Sequence, residues 1–241
     1  MKKIIFILVL LAVSCQTTKI KNKTYKTSPA TVELGSIGTS TSLNNLKNDF
    51  SIKSFPALQN KIRLDIQIVP FTKDINKIYL EKSEVNQTEK KINYIDSLSN
   101  KPKFVTVSIL DQSGFIEELN ANHNKNILTY LKDTEDAAIV KSIALTLSEE
   151  NIAKLQSADA YYLVNNQDTK YTVMLYKDGK KIDLIDLQSG TVLAYSLGKF
   201  CWAINDRQHW YVGDIVNDNK SCKGNTYKKI KKKEETNLFK L

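Results

Sequence analysis

Between residues 161 and 204 the apolar residues fall into five short runs, at 161–164, 171–176, 182–187, 192–197 and 200–204. Their spacing has a period of two, which belongs to strands. Lys177-Asp178-Gly179-Lys180 separates two of the runs. Its central Asp-Gly suits a two-residue hairpin turn, because both positions of that turn need positive φ. Gln188-Ser189-Gly190 marks another turn. Consecutive short strands joined by tight turns predict an antiparallel meander.

The same pattern extends towards the N-terminus. Ile62, Leu64, Ile66 and Ile68 take every second place, with Arg63, Asp65 and Gln67 between them. This predicts a half-buried strand over 62–69, ended by Pro70. Val105, Val107 and Ile109 predict a strand over 104–110, and Ile143, Leu145 and Leu147 one over 140–147. Residues 72–99 read as mostly helical, with Ile92, Ile95 and Leu98 three apart. After a turn at Asp111-Gln112-Ser113-Gly114, Phe115, Leu119, Leu128 and Leu131 suit a helix better than a strand. The Asn-rich stretch 120–126 is a poor helix interior and reads as a surface loop around His123. Ser148 caps a short helix, with Glu149 and Glu150 favourable in its first turn. The fold class is α+β: an antiparallel sheet, a meander in its C-terminal half, and a few helices. One domain is expected over 56–222. Strand, helix, strand at 62–110 has a counterpart at 140–177, so two related halves, 56–135 and 136–222, are the alternative.

Residues 16–54 are rich in Thr, Ser, Asn and Lys and include Gly35, Gly38 and the run Thr39-Ser40-Thr41-Ser42. They are expected to form a flexible tether within 15–55, interrupted at most by a short helix through Leu43, Leu46 and Phe50. Ahead of them, Met1-Lys2-Lys3 precedes ten apolar residues, 4–13, and then Ser14 and Cys15. A basic start, a short apolar core and small residues at a cut site compose a secretory signal. A membrane-crossing helix needs about 20 apolar residues. The stretch Ala12-Val13-Ser14-Cys15 resembles the lipobox of bacterial lipoproteins, with Ala12 where Leu is commonest. The resemblance implies that 1–14 is a removed signal peptide and that Cys15 carries a diacylglyceryl group on its sulfur and an acyl chain on its amino group. Two or three chains hold a protein at a membrane without help from the polypeptide. By the same resemblance Gln16, standing where Asp would retain the protein at the inner membrane, implies the outer membrane. The absence of acid over 16–24 favours its periplasmic face over the cell surface.

An oxidising compartment changes the reading of the other two cysteines. Cys201 and Cys222 are an even pair and predict a disulfide, enclosing Trp202, Trp210 and Tyr211. A metal site from Cys201, His209 and Cys222 lacks a fourth ligand and paired spacing. His123 and His209 are the only histidines, and no hydrolase, zinc-protease or phosphate-loop motif occurs. No catalysis and no cofactor are therefore expected. The chain carries a net charge of +9, yet Arg63 and Arg207 are its only arginines. Nucleic-acid readers favour Arg for its planar fork, so lysine richness argues against nucleic acid as a partner. The tail, 223–241, holds five lysines between Lys228 and Lys233.

Tyr161, Tyr171, Tyr176, Tyr195, Trp202, Trp210 and Tyr211 cluster in the meander region. They form a candidate binding face, or alternate across the sheet as ordinary β-formers. The function expected first is that of a membrane-anchored, non-enzymatic envelope protein serving as accessory or assembly partner of a larger complex. The second is a lipoprotein that captures peptide, glycan or another small molecule on an aromatic sheet face. Metabolic labelling with a fatty-acid analogue should mark this chain, and Cys15→Ala should abolish the label.

Overall fold

The computed structural model describes residues 17–27, 31–41, 49–86, 92–97, 99–166 and 170–230. Cys15, Leu43, Leu46, Leu98 and residues 231–241 lie outside the described residues. Among those described, twelve strands form an antiparallel sheet accompanied by four α-helices, an α+β fold.

The sheet is built on two long strands, β7 (Ala137–Leu145) and β11 (Val192–Ile204). They pair from Val192 opposite Leu145 to Lys199 opposite Ala138. The free edge of β7 is shared. Its C-terminal part pairs with β6 (Lys103–Ile109), and its first residues pair with β3 (Ile37–Thr41), which in turn carries β4 (Asp49–Ser54). Beyond β6 the sheet continues through β5 (Ile62–Pro70), β8 (Ala160–Asn165) and β9 (Tyr171–Lys177) to β10 (Lys180–Asp186). The free edge of β11 pairs with β12 (Trp210–Asn217) and, at Tyr195 alone, with Lys26 of β2 (Lys23–Lys26). β2 forms a hairpin with β1 (Thr17–Ile20).

Alternation sends successive residues of each strand to opposite faces. On one face Val105, Val107, Ile139, Ile143, Leu145 and Tyr195 meet Phe115 and Leu119 of α2 (Gln112–Asn120), Leu131 of α3 (Lys125–Asp133) and Ile152 and Leu155 of α4 (Glu149–Ser157). On the other, Val69, Phe104, Ala144, Leu193 and Ala194 are covered by Ile75 and Tyr79 of α1 (Lys73–Asn86) and by Ile20 and Tyr25 of the β1–β2 hairpin. The hairpin lies across this second face. The Tyr25 hydroxyl stands 2.9 Å from Ser142 Oγ on β7, and Lys21 Nζ at the turn donates to Gln67 Oε1 on β5 at 2.7 Å.

Local signals are realised where they are strongest. Asp178 and Gly179 take φ of 50° and 74°, as their hairpin turn requires. Ser148 Oγ accepts the Asn151 N–H at 3.2 Å and caps α4. Several expectations need correction. Residues 17–54, read as a tether, supply four strands, and Ile20, Tyr25, Val32, Leu34, Ile37 and Phe50 are buried. Each of these strands buries only one or two side chains, so its polar majority hides its role. Gly38 is a packing residue, since a Cβ there would stand 2.1 Å from the Ser51 carbonyl oxygen. Phe50 lies in a strand, not a helix. The helix expected over 72–99 ends at Asn86, and Ile92 packs on the second face from an irregular segment. Two of the expected strands, 192–197 and 200–204, are one continuous strand, and it pairs with β7 rather than extending the β8–β9–β10 meander. β12 was not foreseen. The two proposed halves differ in topology: β5 and β6 are neighbours, whereas three strands separate β7 from β9. The basic tail is partly docked, with Tyr227 bridging Trp202 and Lys229 paired with Glu135.

Cys201 and Cys222 lie at disulfide distance, 1.94 Å between sulfurs, and tie the segment after β12 back to β11. Replacing both by Ser should lower stability by about 3 kcal/mol, a Tm loss of roughly 6–12 °C for a chain of this size. Reductant should cause the same loss in the wild type and none in the double variant.

Candidate functional site

The seven aromatic residues singled out from the sequence do not share a surface. Tyr171, Tyr195 and Trp202 are buried in the main core. The Tyr171 hydroxyl donates to the Pro56 carbonyl, and burial, reinforced by the Glu118 charge, pushes its pKa up. Tyr161 is half-buried and its hydroxyl donates to the Leu155 carbonyl at 2.8 Å. Trp210 packs edge-on against Tyr227 with ring centres 5.8 Å apart, while the next residue, Tyr211, is exposed. Tyr176, partly exposed, stands apart from both on a face that no helix covers among the described residues. Adjacent tyrosines on a strand must part company, so a count of tyrosines cannot reveal how many face water.

What Tyr176 belongs to is a different set. The start of β5, with β8, β9 and β10, continues the second face past α1 and the hairpin. There Arg63 pairs in register with Tyr162, Tyr162 with Met174 and Met174 with Leu184, a row crossing four strands. Tyr162 and Tyr176 meet edge to face at 5.2 Å. Lys61 Nζ lies 4.5 Å from one ring centre and 4.4 Å from the other, and Arg63 stands over Tyr162 at 5.9 Å. Leu184 and Ile182 are each 44 % exposed. Cross-strand packing of this kind stabilises a sheet by a few tenths to about 1 kcal/mol per pair, and exposed cation–π contacts contribute about 0.5–1 kcal/mol. The row is thus ordered before anything binds it.

A second constellation lies around Glu118, which is only 3 % exposed. Its Oε1 accepts Asn60 N–H at 3.0 Å and Asn60 Nδ2 at 2.7 Å, and its Oε2 accepts Gln59 N–H at 2.8 Å. His123 Nε2 stands 3.0 Å from Oε2 and 3.1 Å from the Ala57 carbonyl oxygen. Two acceptors at one nitrogen require that Nε2 carry the proton. Burial works against the carboxylate's charge, but the donors from Gln59, Asn60 and His123 outweigh it and hold the carboxyl below its usual range. Four donors leave the carboxylate no lone-pair direction for a substrate. Asn124 completes the arrangement, exchanging hydrogen bonds of 2.9 and 2.8 Å with the Ala57 backbone. The cluster fastens the loop ahead of β5 to α2; it does not present a reactive group. His123 therefore sits in a 3-10 turn with fixed partners rather than in a free loop.

Two clefts stand out. One, about 240 Å³, is lined by Val32, Leu34, Ile143, Tyr171, Leu187 and Val192, with a 2.8 Å hydrogen bond from Gln188 to Glu33 nearby. The other, about 230 Å³, has Leu131, Leu197, Phe200 and Trp202 beside Lys26, Lys199 and Asp218. Both fall short of the roughly 300 Å³ at which drug-sized ligand sites begin. Lys26 and Lys199 each bind Asp218, at 2.6 and 2.9 Å. His209 and the two bonded cysteines hold no metal arrangement, and no group of three or more metal-ligating side chains occurs among the described residues.

Comparison with known proteins finds no matching family model, curated protein or solved structure. The Glu118 cluster makes a direct prediction. Glu118→Ala leaves buried donors unpaired and should cost about 3–5 kcal/mol. Because the folded pKa is depressed, the charge contributes fully above the unfolded value of about 4.3 and is lost as pH falls through the folded one. Denaturant melts across acid pH should show the gap between wild type and Glu118→Gln closing below about pH 4.

Proposed function

We propose that this chain is a lipid-anchored envelope protein that acts without catalysis, as an accessory or assembly partner of a larger complex. It belongs, on this reading, at the periplasmic face of the outer membrane. The observation that supports it best is the uncovered row Arg63, Tyr162, Met174 and Leu184, with Lys61 and Tyr176 beside it. Tyr, Arg and Met are enriched in protein interfaces, and here they are held rigid by a sheet, so docking would cost little side-chain entropy. The cations Lys61 and Arg63 select a partner surface that is apolar with an acidic rim. Capture of a small ligand on an aromatic face draws less support, because three of the seven aromatic residues proposed for that role are buried in the core.

Affinity purification from detergent-solubilised membranes should recover a stoichiometric protein partner. Leu184→Glu with Ile182→Glu, at positions each 44 % exposed, should weaken that recovery by about 2 kcal/mol or more with little change in melting temperature. A wild-type protein that always elutes alone would count against the reading.

A further inference from the structure

The position of β1 bears on how such a protein would sit on its membrane. Thr17 pairs with Lys26, Lys26 pairs with Tyr195 of β11, and its Nζ is bound to Asp218 just past β12. The chain therefore enters the fold at the corner where β2, β11 and the end of β12 meet. From Thr17 back to Cys15 is two residues, at most about 7 Å of chain. An acylated Cys15 would hold that corner against the lipid headgroups, with no tether to lift it away.

The side chains around this corner are basic. Lys19, Lys23 and Lys220 are exposed, and Lys26, Lys141 and Lys199 stand among them. Lys141 donates to Asn217 at 3.1 Å, and burial together with the nearby charges of Lys220 and Lys23 lowers its pKa, although Asp214 opposes the shift. Asp218 answers both Lys26 and Lys199 with one negative charge. Asp214, Glu135 and Asp136 also stand near these lysines, but the lysines outnumber the acids, so the corner is net positive where the chain would meet the bilayer. A basic group held within a Debye length of an anionic leaflet is drawn to it, and each lysine that reaches the surface favours contact about fivefold.

We propose that this corner is a docking surface for anionic lipid headgroups, with Lys19, Lys23 and Lys220 as its contacts. It fixes how the sheet stands on the membrane. The proposal rests on acylation of Cys15. The β9–β10 turn closes the last strand pair of the sheet, β10 lying six pairings on from β11.

The test is lysine footprinting of the lipidated full chain with a membrane-impermeant amine reagent, read by peptide mass spectrometry. In vesicles of phosphatidylcholine and phosphatidylglycerol in equal parts, labelling of Lys19, Lys23 and Lys220 should fall at least about threefold relative to detergent micelles. Labelling of Lys177 and Lys180, on either side of the β9–β10 turn, should not change. In phosphatidylcholine alone the protection should be smaller, and high salt should reduce it further. Acylated protein labelled uniformly would overturn the docking surface and leave the anchor standing. An intact mass without the diacylglyceryl group would overturn the anchor and this orientation with it.

Discussion

The ladder between β7 and β11 carries the molecule. Each of these strands spends one edge on the other and divides its remaining edge between two partners, β6 and β3 on one side, β12 and β2 on the other. Four lines of strands therefore hang from a single antiparallel pair. The bulges within this pair, at Val192–Ala194 and Ser196–Leu197, adjust which face each residue meets. Ile143 and Tyr195 supply the main core, and Ala144 and Ala194 the second face. A small residue is needed in the latter places because the Tyr25 ring and α1 come down close upon them. Polar contacts follow the same logic. Tyr25, Ser142 and Ser108 join in a chain of hydroxyls, at 2.9 and 2.7 Å, so that serines on strands buried on both faces remain satisfied.

How much of this was legible depended on whether the signal was local. Strands such as 62–70 and 171–177 announce themselves because every second residue is apolar, and the Asp-Gly turn between β9 and β10 states its own geometry. Pairing partners are not local. Nothing within residues 192–204 distinguishes one long shared strand from two short ones, since both have the same periodicity. The N-terminal strands were concealed for another reason. β1 and β2 bury Ile20 and Tyr25 and leave lysine and threonine outside, a composition that a solvated linker shares. In β12, Gly213 and Asp214 interrupt the apolar pattern around Val212 and Ile215. That glycine lies close against Ala203, where a Cβ would come within 2.8 Å.

The disulfide could be inferred from counting cysteines and naming a compartment. The uncovered row could not. It unites Arg63 with Leu184 through three register relations, each fixed by tertiary pairing. The Glu118 cluster was equally hidden, since its donors come from Gln59 and Asn60, 59 and 58 residues away in the chain. The stretch Asp111 to Gly114, expected as a turn, instead opens α2, with the Asp111 side chain accepting the Gly114 N–H, and Glu118 falls beside the apolar face that Phe115 and Leu119 give this helix. A charged residue so placed needs buried donors, but the sequence does not say which residues provide them.

The division of β7 and β11 among N-terminal and C-terminal partners has a consequence for how the chain comes to be folded. β3 pairs with a strand about one hundred residues later, and β2 with one still further on. A polypeptide delivered from its N-terminus cannot close the sheet until β11 arrives. Until then β2 and β7 each have an unpaired edge, and such edges invite association with other chains. Loop closure over these spans makes assembly slow relative to a helical protein of equal size. A holding factor that shields strand edges during delivery would serve this topology more than one that accelerates any single local step.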